Sequence, residues 1–294
     1  MLLKDIKKIF HAELDEIYPV EEVDSFFYYA IQHYLGLERF VLALRPNLTV
    51  TKEEEQPLFE TLAQLKQEKP IQYILGTAHF MNLELMVNEY VLIPRPETEE
   101  LVQWVMEDCL FERSRRSSQD RNILDIGTGS GCIAIALAKY IPNANVFALD
   151  ISGEALKVAQ ENAVSNHVNI QFMNQDILKN ELELVLGLEP GLKFDIIVSN
   201  PPYVRESEKD KMRRNVLVYE PETALFVPDD DALRFYRAIV QFAKNHLAKE
   251  GKLYLEINQY LGKETRALLE AHNFSEIELR KDIFGNDRML KGKA

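Results

Sequence analysis

Ile123-Leu124-Asp125-Ile126-Gly127-Thr128-Gly129-Ser130-Gly131-Cys132-Ile133-Ala134 sets a short apolar run against a glycine-rich turn and the first turn of an apolar helix. The run reads as a strand buried on both faces of a parallel sheet. Glycines at 127, 129 and 131 let the backbone take positive φ and approach a ligand closely, and the following helix N-terminus favours an anionic group. The spacing discriminates between cofactors. A dinucleotide fingerprint needs glycine or alanine at the last position of Gly-x-Gly-x-x-Gly, and Cys132 stands there, so a nicotinamide cofactor is disfavoured.

Outward from this stretch, strands and helices alternate. Strands are predicted at 122–126, 145–150, 169–173, 194–199 and 252–257, with helices at 131–140, 153–166, 230–248 and 261–271. Two C-terminal strands complete a sheet of about seven strands in a right-handed β/α arrangement. The fold class is therefore α/β with a Rossmann-like sheet. Residues 1–76 carry helical spacing instead, clearest in Val23, Phe26, Phe27, Ala30, Ile31 and Tyr34, and Thr51-Lys52-Glu53-Glu54 reads as a capping box. This is a small helical bundle domain. From 77 to 93 the runs shorten and alternate through Phe80, Leu83, Leu85 and Val87, with Asn88-Glu89 as a turn, which predicts a β-hairpin linking the domains. The second domain covers 94–294. It opens on Pro94-Arg95-Pro96-Glu97-Thr98-Glu99, where the prolines fix an extended approach and Thr98 or Glu97 is placed to cap a helix over 99–112. Arg95, held between prolines, is expected close to the domain junction, and its role stays open, a solvated turn being the plainer reading. The polar run 113–120 reads as an exposed loop.

Composition bounds the function. The chain has 294 residues, 46% hydrophobic and 28% charged, and no run approaches a membrane span. Charges recur every few residues from Lys4 to Lys8, so no signal-peptide core is visible and a cytoplasmic location is expected. Cys109 and Cys132 form no Cys-x-x-Cys pair and no histidines cluster, so neither a disulfide framework nor a metal site is indicated. Both cysteines read as core residues, Cys132 beside a helix start where its pKa could fall. A formal net charge of −13 argues against nucleic-acid binding, which needs a basic surface to displace counterions from phosphates. The densest basic run, Lys209-Asp210-Lys211-Met212-Arg213-Arg214, is short and reads as a solvated loop or a weak docking patch.

Two groups of residues carry the chemistry. Asp150 ends the second strand of the β/α series, placed to accept hydrogen bonds from two ribose hydroxyls. Asp176 follows the third and can reach an adenine amino group, with Ile177 packing on the ring. With Gly127, Thr128, Gly129, Ser130 and Gly131 they outline a nucleoside pocket. The apolar run 194–199 is followed directly by Asn200-Pro201-Pro202-Tyr203. Its prolines lack N–H donors and force the chain out of the sheet. Asn200 and Pro201 then offer acceptors at the carboxyl edge, where a planar NH₂ group can donate both hydrogens with Tyr203 against its flat face. Because Asn200 shares that edge with the glycine loop, the amide site and the nucleoside site should adjoin, with Asn200 touching both.

These motifs in this order resemble the class I S-adenosylmethionine-dependent methyltransferases, and Asn200-Pro201-Pro202-Tyr203 resembles their branch acting on planar amide or amino nitrogens. The likeness extends further. Pro70-Ile71-Gln72-Tyr73-Ile74-Leu75-Gly76, Leu92-Ile93-Pro94-Arg95-Pro96-Glu97-Thr98-Glu99, Tyr219-Glu220-Pro221 with Ala224-Leu225, and Asp282 with Gly285, Asp287 and Arg288 look like the release factor glutamine N5-methyltransferases. The resemblance implies S-adenosylmethionine as methyl donor and S-adenosylhomocysteine as product. It implies as substrate the glutamine of the Gly-Gly-Gln loop of class 1 translation release factors, docked with help from the N-terminal bundle. A monomer without direct nucleic-acid or membrane contact is expected. Two departures stand out: Asp229-Asp230-Asp231-Ala232-Leu233 replaces a family Gly-x-Asp-Gly-Leu, and the segment 179–193 looks long.

The chemistry expected is displacement at a sulfonium methyl, with Asn200 and Pro201 as the catalytic acceptors and Pro202 and Tyr203 completing the substrate site. One rival is a nucleic-acid methyltransferase acting on an adenine or guanine exocyclic amine, which uses the same planar logic on a flipped base. A non-catalytic binding module is the other.

Overall fold

A computed structural model describes residues 1–113, 121–179 and 191–294. Of the loop predicted at 113–120, all but Arg113 lies outside the described residues, as does most of the long segment, 180–190. The chain divides into two compact units, Met1–Thr77 with Arg213–Tyr219, and Ala78–Met212 with Glu220–Ala294.

The first unit contains α1 (Leu3–Leu14), α2 (Val20–Leu35), α3 (Val41–Leu44), α4 (Lys52–Leu65) and α5 (Ile71–Leu75). Helical spacing puts Leu3, Ile6, Phe10 and Leu14 on one face of α1 and Val23, Phe27, Ala30 and Ile31 on one face of α2, all fully buried. Phe10 and Phe27 meet edge to face at 5.5 Å. The capping box of α4 forms as predicted, Glu54 N donating to Thr51 Oγ1 at 3.3 Å and Thr51 N to Glu54 Oε2 at 2.7 Å. What the pattern does not disclose is that a distant helix, Arg214–Tyr219, completes this unit. Tyr219 OH donates to Gln67 O at 2.9 Å, Arg214 Nη1 pairs with Glu68 at 2.9 Å and Arg213 Nη1 with Glu22 at 3.4 Å. Both arginines of the basic run therefore face carboxylates of the chain itself, which weakens its reading as a docking patch.

In the second unit, β1 (Thr77–Phe80) and β2 (Leu83–Met86) form the hairpin. Its turn is Met81-Asn82, both at positive φ (50° and 60°), the geometry of a primed two-residue turn. Asn88-Glu89 makes a turn as predicted, after the hairpin, with Val91 N donating to Asn88 O at 3.1 Å. Primed turns usually carry glycine, and Met81 gives no such signal.

The main sheet comprises β3 (Arg121–Ile126), β4 (Ala144–Asp150), β5 (Ile170–Asn174), β6 (Phe194–Ser199), β9 (Leu247–Glu256), β10 (Ser275–Lys281) and β11 (Asp287–Lys293). A separate two-residue pair, β7 (Val204–Arg205) with β8 (Phe226–Val227), precedes β9. The order is β10-β11-β9-β6-β3-β4-β5, parallel except where β11 pairs antiparallel with β9 and β10. Period-two alternation sorts the core. Ile123, Val146, Ala148, Ile196 and Val198 pack with α6 (Pro96–Arg113) and α7 (Cys132–Tyr140), while Leu124, Ile126, Phe147, Leu149 and Ile197 pack with the helix Arg234–His246. In register, Ile126 lies beside Leu149 and Ser199, Asp150 beside Asn174, and Ser199 beside Leu255. The residues after these strands, Gly127, Ile151, Gln175 and Asn200, consequently share one carboxyl edge.

Two helix starts differ from expectation. α6 starts at Pro96, whose fixed φ suits a first helical position, so Thr98 lies inside the first turn and does not cap it. The helix predicted from 230 begins at Arg234, after a 3₁₀ turn over Asp229–Asp231. No residue of Asp229–Leu233 has positive φ, so the turn there does not need the missing glycine. No described helix is long and apolar enough to cross a membrane.

Candidate active site

The glycine loop leaves β3 with φ of +74° at Gly127, +54° at Gly129 and +83° at Gly131. Gly127 N and Thr128 N donate to Leu149 O at 2.8 and 3.0 Å, tying the turn to the end of β4. Asp150 braces it from the same side: Oδ2 accepts from Gly129 N at 2.9 Å and Oδ1 from Ser152 N at 2.8 Å. Each carboxylate oxygen keeps lone-pair capacity for a ligand hydroxyl. Burial raises the Asp150 carboxyl above its ordinary value, opposed by these N–H donors. Asp176 closes its own turn, Oδ1 accepting from Leu178 N at 3.0 Å. Gly127, Thr128, Gly129, Ser130, Asp150, Asp176 and Ile177 all line one cavity of about 330 Å³. Gly131 lies behind that wall. A Cβ there would come within 3.0 Å of Ile135 Cδ1 and 3.1 Å of Ala159 Cβ, so its part is to let α7 pack against α8 (Gly153–Ser165).

Asn200, Pro201 and Pro202 line the same cavity, so the two groups of residues meet as the strand order requires. Tyr203 does not line it. Its hydroxyl turns away to donate to Glu256 Oε1 at 2.8 Å, and Arg288 Nη1 donates to that hydroxyl at 3.3 Å. The Asn200 Nδ2 group donates to Thr98 Oγ1 at 3.1 Å, and Thr98 Oγ1 donates to Glu256 Oε2 at 2.6 Å. Glu256 is 1% exposed, and burial raises its carboxyl despite the hydrogen bonds of Thr98 and Tyr203 and the charge of Arg288. Asp282 turns the β10–β11 connection, accepting from Phe284 N and Asn286 N at 3.0 and 2.9 Å, and takes Arg288 Nε at 3.1 Å. Although burial opposes it, the Asn286 N–H and the Arg288 guanidinium hold the Asp282 carboxyl below its usual range.

A cavity joining a glycine loop to an Asn-Pro-Pro-Tyr corner has close relatives. A family model described as a methyltransferase small domain matches residues 108–229, and one described as a PrmC N-terminal domain matches residues 10–76. The release factor glutamine methyltransferase of Flavobacterium psychrophilum is 50% identical over 291 residues, covering 99% of each chain. The chain belongs to the release factor glutamine methyltransferase family. The enzyme of that name from Bacteroides thetaiotaomicron is 42% identical over 94% of this chain and 95% of its own. A solved protein-(glutamine-N5) methyltransferase from Alicyclobacillus acidocaldarius is 25% identical, with a TM-score of 0.42 over 68% of this chain and 93% of its own.

In this member of the release factor glutamine methyltransferase family, Arg95 lines the cavity and its Nη2 donates to Glu220 Oε1 at 2.5 Å. Glu220 Oε2 accepts from Ile93 N at 3.2 Å, so one buried carboxylate holds the 92–96 segment against the 220–226 segment. Sequence reading left Arg95 open and assigned Glu220 no role, because the pair is joined only by folding. Thr98 and Glu256 were missed in the same way, and Asp125 was missed although its partner is close in sequence. Thr128 Oγ1 donates to Asp125 Oδ2 at 2.6 Å, and burial pushes the Asp125 carboxyl up to about 7, with the charge of Asp150 adding to it. The signal for Asp125 was present, an acid inside an otherwise apolar strand. Cys109 and Cys132 are buried as expected, but the Cys132 thiol pKa does not fall: burial and the charge of Asp125 push it up to about 12.

Proposed function

We propose that the protein transfers a methyl group from S-adenosylmethionine to the N5 side-chain amide nitrogen of the Gly-Gly-Gln glutamine of class 1 release factors, leaving S-adenosylhomocysteine. In this reading it works in the cytoplasm as a monomer without direct nucleic-acid contact, and the helices of residues 1–76 help dock the release factor. One observation carries it: the glycine loop, Asp150, Asp176 and Ile177 share a single cavity with Asn200, Pro201 and Pro202.

The residues present suit the cofactor. The cavity is of ligand size, and a Cβ at Gly129 would meet nothing within 4 Å, so the loop presents bare backbone to it. Asp150 would hold the ribose hydroxyls, Asp176 the adenine amino group and Ile177 the ring, with Gly127, Thr128, Gly129, Ser130 and Gly131 forming the loop beneath. Bound S-adenosylmethionine supplies an electrophilic methyl group on its sulfonium. Asn200 and Pro201 do the rest. An amide nitrogen is a poor nucleophile because resonance draws its lone pair into the carbonyl. The Asn200 Oδ1 atom and the Pro201 carbonyl each accept one N–H of the glutamine, which fixes its orientation. Both contacts strengthen as positive charge develops on the nitrogen, so they contribute to rate as well as binding. Pro202 stiffens the corner and the nitrogen releases its proton to water. Tyr203, anchored to Glu256, shapes the substrate wall from behind.

The test is to incubate the protein with labelled S-adenosylmethionine, intact release factor and total RNA, then map the label by mass spectrometry. Label on the glutamine of the Gly-Gly-Gln peptide is expected. Label in RNA, or in neither, rejects the reading.

A further inference from the structure

Asn200 can serve an incoming NH₂ group only if its amide presents oxygen to the cavity, and an amide has no intrinsic preference between its two ends. The surrounding hydrogen bonds impose one. Arg288 only donates, so the Tyr203 oxygen accepts from it at 3.3 Å and the hydroxyl hydrogen is left for Glu256 Oε1 at 2.8 Å. Burial works against its charge, but the Arg288 guanidinium and the two hydroxyl donors favour the ionised form, and as a carboxylate Glu256 only accepts, so it also takes the single hydrogen of Thr98 at 2.6 Å. The Thr98 oxygen then has only lone pairs to offer. Its contact with Asn200 at 3.1 Å must come from the amide nitrogen. We infer that Thr98, polarised by Glu256, is a positioning residue that locks the Asn200 amide with its oxygen toward the cavity. The inference rests on the glutamine-methylation reading and adds to it the residue that selects an NH₂ group and excludes a hydrogen-bond acceptor. Thr98 is 2% exposed and Glu256 1%, so water does not compete for these bonds.

The direct test is Thr98→Val, which keeps the shape and removes the hydroxyl. A valine beside the amide leaves its NH₂ group unpartnered, and the favourable response is to turn that group toward the cavity and present donors to a donor. The wild-type chain, Thr98→Val and Thr98→Ser are compared in single-turnover methylation of intact release factor, with calorimetric binding of S-adenosylmethionine and thermal melting alongside. The expected result is a loss of about 10- to 100-fold in rate for Thr98→Val, the scale of a misplaced reacting group, with cofactor affinity unchanged and melting lowered by the lost buried hydrogen bonds. Thr98→Ser, which restores the hydroxyl, should recover most of the rate. Equal rates for Thr98→Val and wild type overturn the inference. So does a loss shared by Thr98→Ser, or one matched by weaker cofactor binding, since either marks a packing role. An inactive wild-type chain would instead reject the function on which the inference rests.

Discussion

At the residue scale, the site separates into atoms that meet the substrate amide and atoms that meet the cofactor, and the two should fail differently. Removing the amide in Asn200→Ala deletes one preorganised acceptor, and losses of that kind run to about 10² or more in rate. Cofactor binding by calorimetry should persist, because the glycine loop and Asp150 do not hydrogen-bond to the Asn200 side chain. Near-normal turnover in Asn200→Ala would remove its proposed role. Asp150→Ala should weaken S-adenosylmethionine binding by about 10- to 100-fold, as expected for losing hydrogen bonds to a charged group, and unchanged affinity would end the ribose assignment. The residues open to these predictions were legible because each lies in a contiguous motif beside its strand end. Thr98 and Glu256 were not: their hydrogen bond spans 158 positions, and in isolation a threonine after Pro-Glu reads as a helix cap. Tyr203 was legible as part of the corner, but the direction of its hydroxyl depends on Glu256 of β9 and Arg288 of β11, strands near β6 in the sheet and remote from it in sequence.

At the scale of elements, every strand of the parallel core was placed within a residue or two except β9, whose start at Leu247 lies inside the predicted helix. The reason is the apolar content of that junction: Phe242, Ala243 and Leu247 are all buried in one cluster, so hydrophobic periodicity runs unbroken from helix to strand. The helix Arg214–Tyr219 could not be assigned to the first unit from sequence either, since its partners Glu68 and Gln67, and the Glu22 that pairs with the preceding Arg213, are remote and individually unremarkable. The glycine loop, by contrast, was decided by spacing alone, and its last glycine shows why. Gly131 combines a φ of +83° with a Cβ position 3.1 Å from Ala159 Cβ and 3.3 Å from its Cα. Gly131→Ala therefore incurs left-handed strain and pushes α8 from α7, and should cost about 1–3 kcal/mol. Urea unfolding would show this as a lower midpoint at unchanged slope, and an unshifted midpoint would mean that α8 yields freely.

At the scale of the whole molecule, the acidity that disfavoured nucleic acid at the outset has a second consequence, because some of its carboxylates are buried behind the carboxyl edge of the sheet. Asp125, Asp150 and Glu256 are all raised by burial, Asp125 to about 7. Asp108 and Asp282 shift the other way, held low by hydrogen bonds and neighbouring cations despite burial. The two classes act on stability with opposite sign and in different ranges. A carboxyl raised on folding contributes stability that is complete below its unfolded pKa of about 4 and is lost as pH rises through the folded value near 7. Carboxyls lowered on folding stabilise above about pH 4 and lose that contribution only below it. Between these limits the Asp125 share amounts to about 1.4 kcal/mol for each pH unit. Without cofactor, the larger unit should therefore become more stable as pH falls from about 7 to about 5, against the usual acid trend. Asp125→Asn keeps an acceptor for Thr128 and removes the charge, so it should flatten that rise and be at least as stable as the wild type near pH 7. Urea midpoints of both proteins across this range decide the matter: a wild-type midpoint that stays level or falls, or an equal rise in Asp125→Asn, shows that the buried acid is not the cause.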